Sequence, residues 1–289
     1  MLCICLSGGG ANGAYEVGAL RYLLCEKGLK PEIYCGTSVG AINSSFLAQY
    51  PIGEDSEGIL RLEQLWDKLD TSSIYTKWYN GWLWYLPVLW KKSVYNTQPV
   101  RDLIENNLDA EKIRSSGKKL RVIGVSLSTG ECKTWGEEDF NIVKGVQASS
   151  SFPIFFTPVD VAGVAFSDGG LRNITPLRTA IDLGATEIYV ITCSPERITF
   201  EANPDLSVLN QVTRTLDIMC DEINRNDIRK ALLYNELCKY KKDGNKRFVD
   251  IKLIQPKAYL GDSLDFSHAK NRGLFELGYQ DACNFDKTE

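Results

Sequence analysis

A serine flanked by glycines is the first feature of this chain able to support covalent chemistry. Ile33-Tyr34-Cys35 has the composition of a short strand, Gly36-Thr37-Ser38-Val39-Gly40 follows, and an apolar helical pattern restarts at Val39. Ser38 therefore falls on the sharp turn between a strand and a helix, the G-x-S-x-G arrangement of a nucleophile elbow. The glycines have a steric task, since Gly36 keeps Cβ clashes out of the bend and Gly40 lets the helix pack close. Ser38 Oγ would stand at the helix N-terminus, where the dipole favours developing negative charge. An ordinary strand-to-helix turn also satisfies the bare pattern, because glycine and serine are common in such turns.

A serine nucleophile needs a base and a place for its oxyanion. Ser7-Gly8-Gly9-Gly10-Ala11-Asn12-Gly13 presents backbone N–H groups with little side chain to obstruct approach, and Gly8, Gly9 and Gly10 are the obvious donors to a tetrahedral intermediate. Residues 8 to 13 also fit G-x-G-x-x-G, the dinucleotide fingerprint, with Glu32 at about the right distance for a ribose. Position argues against it. The acid belongs at the end of the second strand, whereas Glu32 precedes Ile33 and adjoins Pro31.

Two residues compete as base. Asp168 ends an apolar run, and Gly169 and Gly170 after it let the backbone turn it toward a site. Its carboxylate can take the hydroxyl proton directly if the surroundings raise its pKa. His268 is the only histidine, and the order Ser38, Asp168, His268 would match an α/β-hydrolase triad. That fold places its serine after several strands, and only two precede Ser38, so Asp168 is the better candidate. The plain structural readings are a turn aspartate and a capping histidine.

The elements that must position these residues alternate along the chain. Leu2 to Leu6 is an apolar run suited to a buried parallel strand, the glycine loop follows, and Tyr15, Val17, Leu20, Leu23 and Leu24 are spaced as a helix that Gly28 stops. Glu57 to Leu69 is an amphipathic helix. Shorter helices begin near Thr97 and Asp109, Leu120 to Leu127 is a strand with Glu131 to Trp135 as hairpin partner, and Phe140 to Ala148 is a helix. Val159 to Phe166 reads as one strand broken by Gly163, and Glu187 to Cys193 as a β-branched strand. Asp205 to Tyr240 is mostly helical with a polar interruption at Asn224 to Asp227, and Phe248 to Ile254 and Ala269 to Cys283 give a last strand and helix. This predicts one α/β domain over residues 1–289, a mostly parallel sheet flanked by helices, with both glycine turns at the carboxyl edge where such sheets bind ligands.

Residues 52–100 interrupt that rhythm as an insertion or lid-like segment. Trp78, Trp82, Trp84 and Trp90, with Lys77, Lys91 and Lys92 nearby, suit either a cap on the core or a patch that meets a membrane surface. The 289 residues are 44% hydrophobic, enough for a large core, and the net charge of −4 offers no basic footprint for nucleic acid. Nine cysteines, odd in number and scattered through apolar patterns, read as free thiols of a reducing, cytoplasmic compartment. Neither a signal peptide nor a membrane-spanning run is expected, nor a metal or other cofactor.

Taken together, Gly8 to Gly13, then Gly36-Thr37-Ser38-Val39-Gly40, then Asp168-Gly169-Gly170 resemble the patatin-like phospholipases. The resemblance extends to Ala148-Ser149-Ser150-Ser151-Phe152-Pro153 and to the terminal helix, and is weakest over 52 to 100. It implies a three-layer α/β/α fold and a lipid acyl hydrolase acting on phospholipid or lysophospholipid esters. Ser38 would be the nucleophile, Asp168 the base, the Gly8 to Gly10 amides the oxyanion hole, and an acyl-serine the intermediate. Many members carry Arg or Lys where Asn12 stands, so a cation in that loop is not expected here. Head group, ester position and oligomeric state are not written in these motifs.

Overall fold

The layering of the molecule is decided by alternation along its first strand. In Leu2–Leu6 (β1), Ile4 and Leu6 enter one core, while Cys3 and Cys5 enter a second on the other face of the sheet. A strand buried on both faces has no use for polar alternation, hence the continuous apolar run. The computed structural model describes residues 1–79, 90–196, 207–240 and 247–288. Its other strands are β2 Ile33–Thr37, β3 Thr76–Lys77, β4 Tyr95–Asn96, β5 Lys119–Ser126, β6 Cys132–Gly136, β7 Val159–Val161, β8 Val164–Asp168, β9 Glu187–Ile191 and β10 Asp250–Ile254. The helices are α1 Gly13–Arg21, α2 Val39–Leu47, α3 Asp55–Asp67, α4 Thr71–Ile74, α5 Gln98–Asn107, α6 Ala110–Ser115, α7 Ile142–Ser149, α8 Leu177–Asp182, α9 Val208–Tyr240 and α10 His268–Thr288.

Strands β10, β9, β1, β2 and β5 lie side by side and all run parallel, while β6, β7 and β8 are antiparallel additions. The expected single α/β domain, a mostly parallel sheet between helices, is what forms. The larger core packs α1, α2, α3, α5, α6, α7 and α10 on one face, and the smaller packs α8 and α9 on the other. Helix α10 comes unusually close to α1. A Cβ on Gly18 would lie 1.9 Å from the Phe275 carbonyl oxygen, and one on Gly278 would lie 2.0 Å from that of Tyr15.

Three expectations need correction or refinement. Val159 to Phe166 is a hairpin, not one broken strand, because Ala162 and Gly163 both take positive φ, 54° and 82°, as a tight hairpin turn requires. Helix α9 is not interrupted at 224–227. Those polar residues bond to the protein, Asn224 Nδ2 donating to Thr192 Oγ1 at 3.1 Å and Asp227 Oδ2 accepting the Ile174 and Thr175 amides at 2.9 and 3.2 Å. Within 52–100, α3 is part of the core through Ile59, Leu62 and Trp66; Leu69, Ile74 and Val94 join the same core, and β3 pairs with β4 as a small antiparallel ribbon. Trp82 and Trp84 lie outside the described residues. Of the other two, Trp90 is 58% exposed, while Trp78 is half-buried with its indole N–H on the Ser93 carbonyl and Lys91 over its ring.

The cysteines have no disulfide among them. Cys3, Cys5, Cys35 and Cys193 are buried, but Cys132 is exposed on β6. At the opposite edge of the sheet from the glycine turns, buried Lys118 pairs with Asp55 at 2.5 Å, and Tyr34 OH donates to the same carboxylate oxygen at 2.7 Å. No described helix is long and apolar enough to cross a membrane.

Candidate active site

Strand register brings Ser38 and Asp168 together. Strand β5 pairs with β2 over residues 119–123, with Ile123 opposite Thr37, and with β8 from Gly124, which lies opposite Asp168. Because β6 pairs along 121–125, it holds the other edge, so β8 takes over the edge of β5 where β2 ends. Asp168 therefore arrives head-on to the residue after Thr37. Ser38 Oγ donates to Asp168 Oδ2 at 2.7 Å, across 130 residues of sequence.

The elbow geometry follows from its neighbours. Ser38 has φ 56° and ψ −126°, a strained conformation for a residue with a Cβ. Gly36 and Gly40 make the bend sterically possible: a Cβ on the first would meet the Gly40 carbonyl oxygen at 2.2 Å, and one on the second that of Ser7 at 2.4 Å. The Ser38 amide donates to Ser149 Oγ at 3.0 Å, and Ser151 O accepts the Asp168 amide at 3.0 Å and Ser167 Oγ at 2.7 Å. One segment at the end of α7 thus steadies both partners.

Asp168 is 2% exposed. Burial raises its pKa to about 7, although hydrogen bonds from Ser38 and from the Gly170 amide, the latter at 2.7 Å, favour the charged form. A carboxylate tuned to that value can both accept and return a proton near neutrality. With Oδ2 taken by Ser38 and Oδ1 by Gly170, no histidine is interposed. His268 is exposed at the first residue of α10 and bonds to neither.

The glycine loop faces the same cavity as Ser38 and Asp168. The Gly8 amide donates to the Ile174 carbonyl at 3.2 Å, so it is engaged in holding the turn. Among the described residues the Gly9 and Gly10 amides have no such partner, which leaves them as the available donors. Glu32 lies at the far end of β2, its Oε2 accepting the Leu2 amide at 3.1 Å. An acid there cannot meet a ligand at the glycine loop, which removes the dinucleotide reading. Among the described residues no three His, Cys, Asp or Glu side chains converge to hold a metal.

Behind the elbow lies a polar network that patterns of sequence did not single out. Glu16 is fully buried, and burial pushes its carboxyl well above the usual range, against the hydrogen bond it accepts from Asn43. It accepts from Asn43 Nδ2 at 2.9 Å, and Asn43 Oδ1 accepts from Trp66 Nε1 at 3.0 Å, tying α1, α2 and α3 together. Glutamate at a helical core position with no charged partner was the available signal. Away from Ser38 the cavity runs between α2, α3, α5 and the segment after α7, where Ile42, Leu62, Trp66, Leu69, Val100 and Phe156 make an apolar arm. Arg214 and Asp217 of α9 line another part of the wall.

Comparison with known proteins gives three findings. A family model described as patatin-like phospholipase matches residues 4–181, more than half of the chain. An uncharacterized protein of Bacillus subtilis, YqhO, is 28% identical over 195 residues, which cover 59% of this chain and 64% of that one. Among solved structures, VipD of Legionella pneumophila aligns with 99% of this chain and 66% of its own at 13% identity and TM-score 0.47. The type III effector ExoU of Pseudomonas aeruginosa aligns with 99% of this chain and 52% of its own at 14% identity and TM-score 0.45. The chain thus spans two thirds or less of the length of these relatives.

Proposed function

The chain belongs to the patatin-like phospholipase family, and from that premise we propose that it is a lipid acyl hydrolase in which Ser38 and Asp168 form a catalytic dyad. Asp168 takes the hydroxyl proton as Ser38 Oγ bonds to the ester carbonyl carbon. The carbonyl oxygen becomes an oxyanion facing the amides of Gly9 and Gly10, with Gly8 shaping the turn. Collapse breaks the ester C–O bond, and the departing alcohol takes the proton from Asp168. Water, deprotonated by the same carboxylate, then attacks the acyl-serine, and the fatty acid leaves as the proton returns to Ser38.

One observation carries this reading: a strained serine hydroxyl donating at 2.7 Å to a buried carboxylate whose pKa stands at about 7. The apolar arm offers the acyl chain a place out of water, in keeping with glycerophospholipid or lysophospholipid esters as substrate class. Contact with a membrane surface belongs to the proposal through Trp90 and the exposed Lys91 and Lys92 beside it.

Fatty-acid release from a mixed lipid panel tests the dyad. Ser38→Ala and Asp168→Ala are expected to lose at least ~1,000-fold in kcat, the scale of removing a triad member, while His268→Ala keeps the wild-type rate. An inactive His268→Ala with wild-type folding would overturn the dyad in favour of a triad.

A further inference from the structure

Three consecutive carbonyls of one short strap are all engaged by the glycine loop or by a single cation. Gly261 O lies 3.5 Å from Asn12 Nδ2, Ser263 O accepts the Ala11 amide at 2.8 Å, and Asp262 O between them accepts from Lys270 Nζ. Contact is tightest at Gly10, where φ is +56° and a Cβ would stand 2.3 Å from Ser263 O. The strap and Lys270 lie far beyond residues 4–181, the part that the family model matches.

The glycine loop has little else to fix it from this side. Ser7 to Gly13 contains no cation, and the Oδ1 of Asn12 is buried with no hydrogen-bond partner among the described residues. Lys270, by contrast, is held at a defined height. It sits in the first turn of α10, whose close docking on α1 at Gly18 and Gly278 is reinforced by Tyr15 OH donating to Asp281 at 3.0 Å. Its ammonium is partly buried, which depresses its pKa, but Asp265, Asp262 and the Cys193 thiol oppose that effect. Cys193 in turn abuts Gly9, where a Cβ would lie 2.5 Å from the cysteine Cβ. Lys270 therefore bears on the strap at two neighbouring residues, its ammonium on the Asp262 carbonyl and its Cε 3.4 Å from where a Cβ on Gly261 would stand.

We infer that Lys270 is a positioning residue for the oxyanion donors: its ammonium fixes the Asp262 carbonyl, the 261–263 strap then holds Gly10 and Ala11, and the Gly9 and Gly10 amides keep their aim. The inference rests on the esterase reading of Ser38 and deepens it. Lys270 touches no reacting atom, so its effect is on the rate of acylation and not on substrate affinity. A misplacement of about 1 Å in such donors costs up to ~100-fold in rate.

The test compares wild type, Lys270→Met and Lys270→Arg in the full chain, with hydrolysis of p-nitrophenyl butyrate, fluorophosphonate labelling of Ser38 and melting temperature as readouts. Lys270→Met is expected to lower kcat by ~10- to 100-fold with KM within about twofold, and to slow labelling in parallel, since phosphonylation uses the same donors. Lys270→Arg, which still presents a cationic donor to the Asp262 carbonyl, is expected to recover most of the rate. A folded Lys270→Met with wild-type kcat, or a rate loss equal in both variants and matched by an equal fall in melting temperature, would overturn the inference. Wild-type protein that neither hydrolyses nor labels would instead overturn the esterase reading on which it stands.

Discussion

Asp168 carries its carboxyl where water hardly reaches it, and its pKa of about 7 is the sum of that burial against two hydrogen bonds. As the proposed base it must be ionised to accept a proton. The logarithm of kcat/KM for a soluble ester should therefore rise with unit slope below about pH 7 and level off above it. Stability runs the other way. A carboxyl whose folded pKa is raised favours the folded state below the ordinary carboxylate range, and that contribution is lost as pH rises through about 7. Above that pH, ionising Asp168 costs on the order of 4 kcal/mol. Asp168→Asn should thus be inactive yet more resistant to urea than wild type at about pH 8, with little difference at about pH 4. A flat pH–rate profile across neutrality, or an Asn variant less stable than wild type at high pH, would contradict this assignment.

At the scale of elements, what could be read from sequence was whatever local sterics impose. The elbow and the glycine loop were legible because their bends exclude side chains, as the 2.2 Å clash awaiting a Cβ at Gly36 makes plain. The hairpin at Ala162-Gly163 was missed because its first turn residue is an alanine at positive φ, where Asn or Asp would have been the usual sign. Helix α9 looked broken at Asn224 to Asp227 because their partners, Thr192, Ile174 and Thr175, are distant in sequence. The same holds for Ser149 and Ser151, whose bonds to Ser38 and Asp168 no spacing rule reveals. The segment bracketed by β3 and β4 carries its own prediction. Trp90, 58% exposed beside Lys91 and Lys92, should shift tryptophan emission to shorter wavelength on adding phosphatidylcholine–phosphatidylglycerol vesicles, and Trp90→Phe should abolish most of that shift. Unchanged emission in wild type would remove Trp90 from the proposed membrane contact.

Across the whole molecule, most of the order of strands and helices was legible because β1, β2 and β9 are short, largely apolar runs and the longer helices show their own period, whereas the short α4, β3 and β4 carry no such pattern. The two cores follow from the same alternation, Ile4 and Leu6 against Cys3 and Cys5. Strand order was not legible, and strand order is what matters most here. Only the handover on one edge of β5, from β2 at Ile123 to β8 at Gly124, brings Ser38 to Asp168, and neither partner strand announces that register. Just before the C-terminal helix, the 261–263 strap lies against the glycine loop, Ser263 O accepting the Ala11 amide at 2.8 Å. In the proposed reaction this handover is what makes Ser38 an acylating serine. The most direct measurement is peptide mass spectrometry of protein quenched during turnover of a slowly hydrolysed acyl ester. Wild type should carry an acyl adduct on Ser38, and Asp168→Ala should carry none. An adduct on any other residue, or equal acylation of Ser38 without Asp168, would contradict the dyad.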